Sequence, residues 1–396
     1  MRFQRRVGLR AGAAWAAVLL SALGDTSSGQ AMQLNGYVQA VPLAGTREGQ
    51  FGEFNRVRLF GESGVGAFGF GAAYEHVLTF RRRAEAPEFH LGAVPGGGEW
   101  LRLQWTVAER DHVVWQHRFD RLYVGWESER LEISVGRQVV SWGTALFLTP
   151  SDPFTPFNPV DPFREFRAGV DAARLRFFPG ALSEVDLVVR PTRSPAGEEV
   201  VTALIRGLTT ARNWELSAWV GIVYGDPAGA LGAAGSVGGW AVRAEAVLRQ
   251  LPDRVVLRGT LGLDRQLQVG GRDLTLAVEY QRDGLGADGP DAYPATLVSA
   301  TFLRGEHQVL GRDETVARAS YQLDPLWSLS GLVLWNLNDL SATTGTSVAY
   351  SASSDVAVTT GAFLGLGDDD ATDARPLPSE YGSAGLSVYL SLSWYF

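Results

Sequence analysis

The 396-residue chain contains no cysteine and no lysine. The first absence excludes disulfide frameworks, thiolate nucleophiles and cysteine-ligated zinc or iron–sulfur sites. The second makes arginine the whole of the 35 basic residues, which 43 acids outweigh to a net charge of −8. No basic block is present to neutralise phosphates, so nucleic acid is not an expected partner. Apolar runs long enough for membrane helices are missing too, and the mean hydropathy is −0.01. At 45% hydrophobic residues the chain is equally far from a disordered polyampholyte. What it has in quantity is glycine (47), phenylalanine (19) and tryptophan (12), a composition that favours sheet.

The first thirty residues read as an export signal. Arg2, Arg5, Arg6 and Arg10 precede an apolar stretch over 11–23, too short to span a bilayer at about 20 residues per helix. Small polar residues follow, up to Gly29-Gln30-Ala31. This order predicts a signal peptide over 1–31, cleaved after Ala31. The expected mature protein, 32–396, then carries a net charge of −11 and forms one domain.

From residue 34 onward the dominant signal is a period of two. In 385–396, Leu386, Val388, Leu390, Leu392, Trp394 and Phe396 alternate with Ser387, Tyr389, Ser391, Ser393 and Tyr395. Soluble strands average about five or six residues, whereas a tilted membrane strand needs about 9–11. Upstream, Val57, Leu59, Leu187, Leu257, Leu261 and Leu263 occupy one face and charged residues the other. Apolar residues facing lipid and charges facing a wet lumen make a transmembrane antiparallel β-barrel, an all-β fold.

Alternation marks eighteen segments: 34–42, 53–62, 65–78, 118–127, 131–142, 168–178, 183–191, 200–208, 213–224, 228–237, 239–249, 254–266, 272–282, 312–323, 327–338, 342–351, 354–366 and 384–396. Sixteen is the alternative if 228–249 is one irregular hairpin or the first strand is misread. With eighteen, the long connections 79–117, 143–167, 283–311 and 367–383 all fall on one side. Barrels of this size leave an aqueous channel, and Trp126, Trp240 and Trp394 stand at strand ends where interfacial girdles form.

The terminal strand, with its final Phe396, resembles the last strand of bacterial outer-membrane barrels. That resemblance implies that Leu390, Leu392, Trp394 and Phe396 are the insertion signal read by the barrel-assembly machinery. A second resemblance rests on Gly136-Arg137-Gln138, then Trp142-Gly143, a long loop, and Gly169-x-Asp171-x-x-Arg174-Leu175. This order resembles porin-like barrels, distantly the alginate-export type, and covers about forty residues. It implies that lumen arginines and acids form the solute path, with Arg137, Asp171 and Arg174 at matching positions. Pairing of Arg137 with Asp171 across adjacent strands to fix register is the alternative.

Pro150, Pro153, Pro156, Pro159 and Pro162 recur every third residue, one turn of polyproline II. They are interleaved with Asp152, Asp161, Arg164 and Arg167, and the segment is either a constriction folded into the lumen or an outward loop. The lumen face is read as Arg56, Arg58, Arg121, Arg174, Arg176, Arg190, Arg243, Arg258 and Arg318 against Glu62, Glu127, Glu132, Glu184, Asp186, Glu245, Asp264 and Glu279. Segregated rows would set up a transverse field; interspersed pairs would be structural.

Three other patterns carry little. Gly64-x-Gly66-x-x-Gly69 is followed by a strand and not a helix, which argues against a dinucleotide site. Asp368, Asp369, Asp370 and Asp373 lack the spacing of a calcium loop, so no metal or other cofactor is expected. Arg81, Arg82 and Arg83 stand at the start of a loop, near lipid phosphates or simply hydrated. His76, His90, His112, His117 and His307 have no nucleophile motif beside them, so no enzyme is expected. The sequence predicts a passive outer-membrane channel for small hydrophilic or anionic solutes in a Gram-negative-type bacterium. Its expected partners are outer-membrane lipid and lipopolysaccharide, with a homo-oligomer possible in principle. The alternative is a non-conducting barrel for adhesion or envelope assembly.

Overall fold

A computed structural model describes residues 33–46, 51–81, 98–154, 163, 166–193, 199–373 and 375–396. The expected signal peptide, Asp161, Arg164 and His90 lie outside the described residues. The first half of the wall comprises β1 (Gln33–Gly45), β2 (Phe51–Val65), β3 (Phe68–Arg81), β4 (Gln104–Arg110), β5 (Val113–Glu127), β6 (Leu131–Gln138), β7 (Val170–Gly180), β8 (Ser183–Arg193) and β9 (Glu199–Ala211). The second half comprises β10 (Trp214–Val223), β11 (Asp226–Val237), β12 (Trp240–Gln250), β13 (Val255–Val269), β14 (Arg272–Asp283), β15 (Asp313–Gln322), β16 (Trp327–Asn336), β17 (Ala342–Ser351), β18 (Val356–Leu366) and β19 (Leu386–Tyr395).

Every neighbouring pair is antiparallel, and β19 closes on β1 through pairs such as Val38↔Trp394 and Leu43↔Tyr389. Phe396 completes the seam by exchanging backbone hydrogen bonds with Gly36. Eighteen strands form the closed wall, because β4 is not a full stave. β3 pairs with the whole of β5 on one side. On the other side, β6 takes the lower part of β5 (Leu122–Glu127) and β4 the upper part. All eighteen predicted segments are strands; β4, inside the expected 79–117 loop, is the one added among the described residues.

The period of two has the expected physical meaning. Leu257 and Leu261 are more than 60% exposed, while their neighbours Arg258 and Thr260 are buried. A polar side chain facing hydrocarbon lacks water to hydrogen-bond, so alternation orients the whole wall. Trp327 and Trp335 bound the apolar outer face of β16, and Trp126 and Trp115 that of β5. Two- to four-residue turns join the strands at one end. The long connections after β3, β6, β14 and β18 all lie at the other end.

Candidate functional site

The loop after β6 turns into the barrel. Its backbone between Thr144 and Ser151 needs hydrogen-bond partners away from bulk water, and two acids on the far wall supply them. Glu245 of β12 accepts from the amides of Thr144, Ala145 (2.6 Å) and Ser151 (3.0 Å). Glu279 of β14 accepts from Leu146 (2.5 Å), Phe147 (2.9 Å) and Leu148 (3.1 Å). The loop carbonyls are met in turn: Leu148 by Thr260 (2.9 Å), Ser151 by the Trp219 indole (2.9 Å), and Phe154 by Arg190 (3.1 Å).

Apolar contacts complete the attachment. Val140, Trp142 and Phe154 pack with Val188, Leu204, Trp219 and Val247 on the lumen face. Further along, Phe163 rests on Phe54 and Tyr389, and the backbone carbonyl of Phe163 accepts from Arg56 (2.8 Å). The 139–169 loop therefore engages opposite walls, and its described part is the inward constriction and not an outward loop. Most of its proline series, Pro156, Pro159 and Pro162, lies outside the described residues.

The loops after β14 and β18 close over this one. Val309 packs with Phe147, Leu148, Val316 and Leu334, and Tyr381 leans on the same cluster. Glu380 accepts from the amides of Leu310 (2.7 Å) and Gly311 (2.9 Å) and from the Asn336 amide group (2.7 Å). Burial holds the Glu380 carboxyl above the ordinary carboxylate range. Glu306 reaches Arg249 and Arg304, which fixes the 284–312 loop to β12.

The expected lumen charges face inward, and most are already paired. Asp186 receives Arg174 through both oxygens, the closer at 2.6 Å, and the Trp142 indole at 2.9 Å. Arg176 bridges Glu132 (2.6 Å) and Glu184 (3.0 Å). Arg243 pairs with Asp264 (3.0 Å), Arg258 with Asp283 (2.7 Å), and Asp152 with Arg167 (2.6 Å). On the opposite wall Arg56 and Arg58 share Glu75, and Arg58 reaches Asp120 at 2.6 Å. Seven of the nine arginines read as lumen-facing are thus in ion pairs, and Arg190 donates to the Phe154 carbonyl and the Tyr224 hydroxyl.

Arg137 and Asp171 are placed differently from the other candidates. Val170 and Ala172 pack into the lumen cluster, so Asp171 between them faces the other way, and Arg137 lies opposite it in register. Nε and Nη2 of Arg137 meet Asp171 at 2.8 and 2.9 Å, while Nη1 meets Glu99 at 2.9 Å and the Phe119 carbonyl at 3.2 Å. The pair fills the wall above β6, which ends early because its chain dives into the lumen. Leu101 covers it, donating to Asp171 (2.8 Å) and accepting from Arg137 (2.8 Å). Strand-to-strand pairing, and not the solute path, is therefore what the geometry gives these two residues.

The glycines of the same motif are steric requirements. Gly136 has φ of 125°, and a Cβ there would lie 2.3 Å from the Leu122 carbonyl. A Cβ on Gly169 would lie 2.2 Å from the Asp120 carbonyl. Alternation alone missed Glu75, Arg118 and Asp120. A bulge at Asp120, between the pairs Ala73↔Arg121 and Tyr74↔Phe119, shifts the facing of β5, so Arg118, Asp120 and Arg121 all contribute to one cluster. No group of three or more metal-ligating side chains occurs among the described residues.

No family model matches the sequence, and no curated protein matches it. Solved structures do. The chain superposes on OccAB1 of Acinetobacter baumannii with a TM-score of 0.57 at 10% identity, covering 92% of this chain and 96% of that one. A BenF-like porin from Pseudomonas fluorescens Pf-5 gives 0.55 at 11% identity, with 94% and 100% covered. OccK2 (OpdF) of Pseudomonas aeruginosa, solved in complex with glucuronate, gives 0.54 at 12% identity, with 92% and 98% covered. The fold is that of an 18-stranded bacterial outer-membrane porin.

Proposed function

We propose that this protein is a passive outer-membrane channel for small hydrophilic solutes, without catalytic activity, whose constriction is the 139–169 loop. The observation that carries the reading is the double anchoring of that loop by Glu245 and Glu279 inside a closed barrel. Loop backbone bonded to the lumen wall narrows a pore without sealing it by a separate domain. An apolar band between aromatic girdles supports residence in the outer membrane, in contact with lipid and lipopolysaccharide. Leu390, Leu392, Trp394 and Phe396 lie on the outward face of the closing strand, a placement compatible with reading by the assembly machinery.

A preference for anions has narrower support. Paired charges create little net field, so such a preference would rest on Arg318, which is exposed on the lumen face of β15. Planar-bilayer recording tests the reading: stable ohmic steps are expected. Silence from folded, inserted protein would favour the non-conducting barrel for adhesion or assembly.

A further inference from the structure

Five adjacent staves of the wall, β16, β17, β18, β19 and β1, contain no aspartate, glutamate, lysine, arginine or histidine. Every other stave carries at least one. The inward positions of this sector are nevertheless polar. They include Ser330 on β16, Thr343 and Ser347 on β17, Thr359 on β18, Ser391 and Ser393 on β19, and Gln39 on β1, by register with one another. Ser330, Thr343, Ser347 and Thr359 are half-buried and not sealed under the loop. Beside them Tyr389 stacks on Phe363 at 5.7 Å (23° between planes) and is covered by Phe163 of the loop.

The opposite sector is charged, but its charges hold structure. Glu245 and Glu279 bind loop amides, Arg258 is held by Asp283, and Asp186 is held by Arg174 and Trp142. The anchored half of the loop, 142–154, lies mainly against that sector on β8, β10 and β12–β14, and reaches the uncharged sector at Leu334 of β16. A solute passing it is displaced toward the uncharged side.

Resting on the channel reading above, we infer that the solute path runs along this uncharged sector and that the favoured solutes are neutral polyhydroxylated molecules of sugar or polyol type. A hydroxyl both donates and accepts, so serine and threonine rows replace the water lost by a sugar's own hydroxyls. An anion losing water on the rows of β17 and β18 meets no cation within them to offset the desolvation.

Liposome swelling by the full mature protein with glucose, sorbitol and sodium gluconate tests this. Glucose and sorbitol are expected to enter faster than gluconate, which has the same carbon number. Faster entry of gluconate, or equal entry, overturns the inference while leaving the channel intact; no swelling with any solute overturns the channel reading itself. Ser347→Asp places a charge on the proposed path and is expected to raise the K⁺/Cl⁻ permeability ratio roughly twofold or more, with Ser347→Asn unchanged. Should Ser347→Asp not fold, as judged by heat-modifiable migration, Ser330→Asp serves. A folded aspartate variant with the wild-type ratio overturns the placement of the path.

Discussion

Arg137 and Asp171 form a pair whose side chains are 1% and 4% exposed. Removing one partner of a buried ion pair strands the other's charge, typically at a cost of about 3–5 kcal/mol. Arg137→Ala is therefore expected to lower the unfolding midpoint in detergent by a corresponding amount. Arg137→Ala/Asp171→Ala should lose less than Arg137→Ala alone. Ion selectivity in a potassium chloride gradient should not change in either, because the pair lies within the wall above β6. A selectivity shift with unchanged stability would show that the guanidinium reaches the pore. The sequence named both residues and offered two roles; only the neighbours Val170 and Ala172, buried in the lumen cluster, told which way Asp171 points.

The 139–169 loop is held mainly by backbone amides on two carboxylates. Glu279→Ala withdraws the acceptor from three amides at once, and each unsatisfied buried amide costs about 1–3 kcal/mol. The loop rather than the barrel should yield, so single-channel recording of Glu279→Ala is expected to show larger or noisier conductance at nearly unchanged thermal stability. A quiet, wild-type trace would mean that the loop is held by its apolar contacts. Trp142→Ala probes those contacts: loss of a buried indole typically costs about 3–5 kcal/mol and also removes a donor from Asp186. The proline period drew attention to 150–162 as the inward element. The described anchors lie mostly before it, in 144–151, where no periodicity marks the chain, because backbone donors carry no side-chain signature.

Over the whole molecule, the sign of the radial pattern is the testable quantity. Leu261 stands on the outer face of β13, flanked by the inward Thr260 and Gly262. An arginine at the bilayer midplane of a barrel typically costs about 2–4 kcal/mol. Leu261→Arg should lower the folded fraction in lipid vesicles accordingly, and the penalty should shrink in detergent, where the arginine finds water. Equal tolerance in both media would place Leu261 outside the hydrocarbon. The eighteen staves and their parity were legible because each stave repeats one instruction, apolar out and polar in, across eight or more positions. β4 was not, since its row (Gln104, Trp105, Thr106, Val107, Ala108, Glu109, Arg110) pairs only with the upper part of β5 and has exposed residues on both faces.

Eighteen strands, with sixteen as the alternative, their closure, and the facing of the regular staves followed from the sequence alone, because alternation is a local property and hydrocarbon enforces it residue by residue. Which charges remain free for a solute was decided only by the tertiary structure. A glutamate that faces the lumen reads the same whether it meets water, an arginine from the next strand, or the amides of a loop that begins a hundred residues earlier. Those partners are brought together by closure of the barrel and by the inward turn of one loop, and neither contact leaves a mark on the local pattern of the chain.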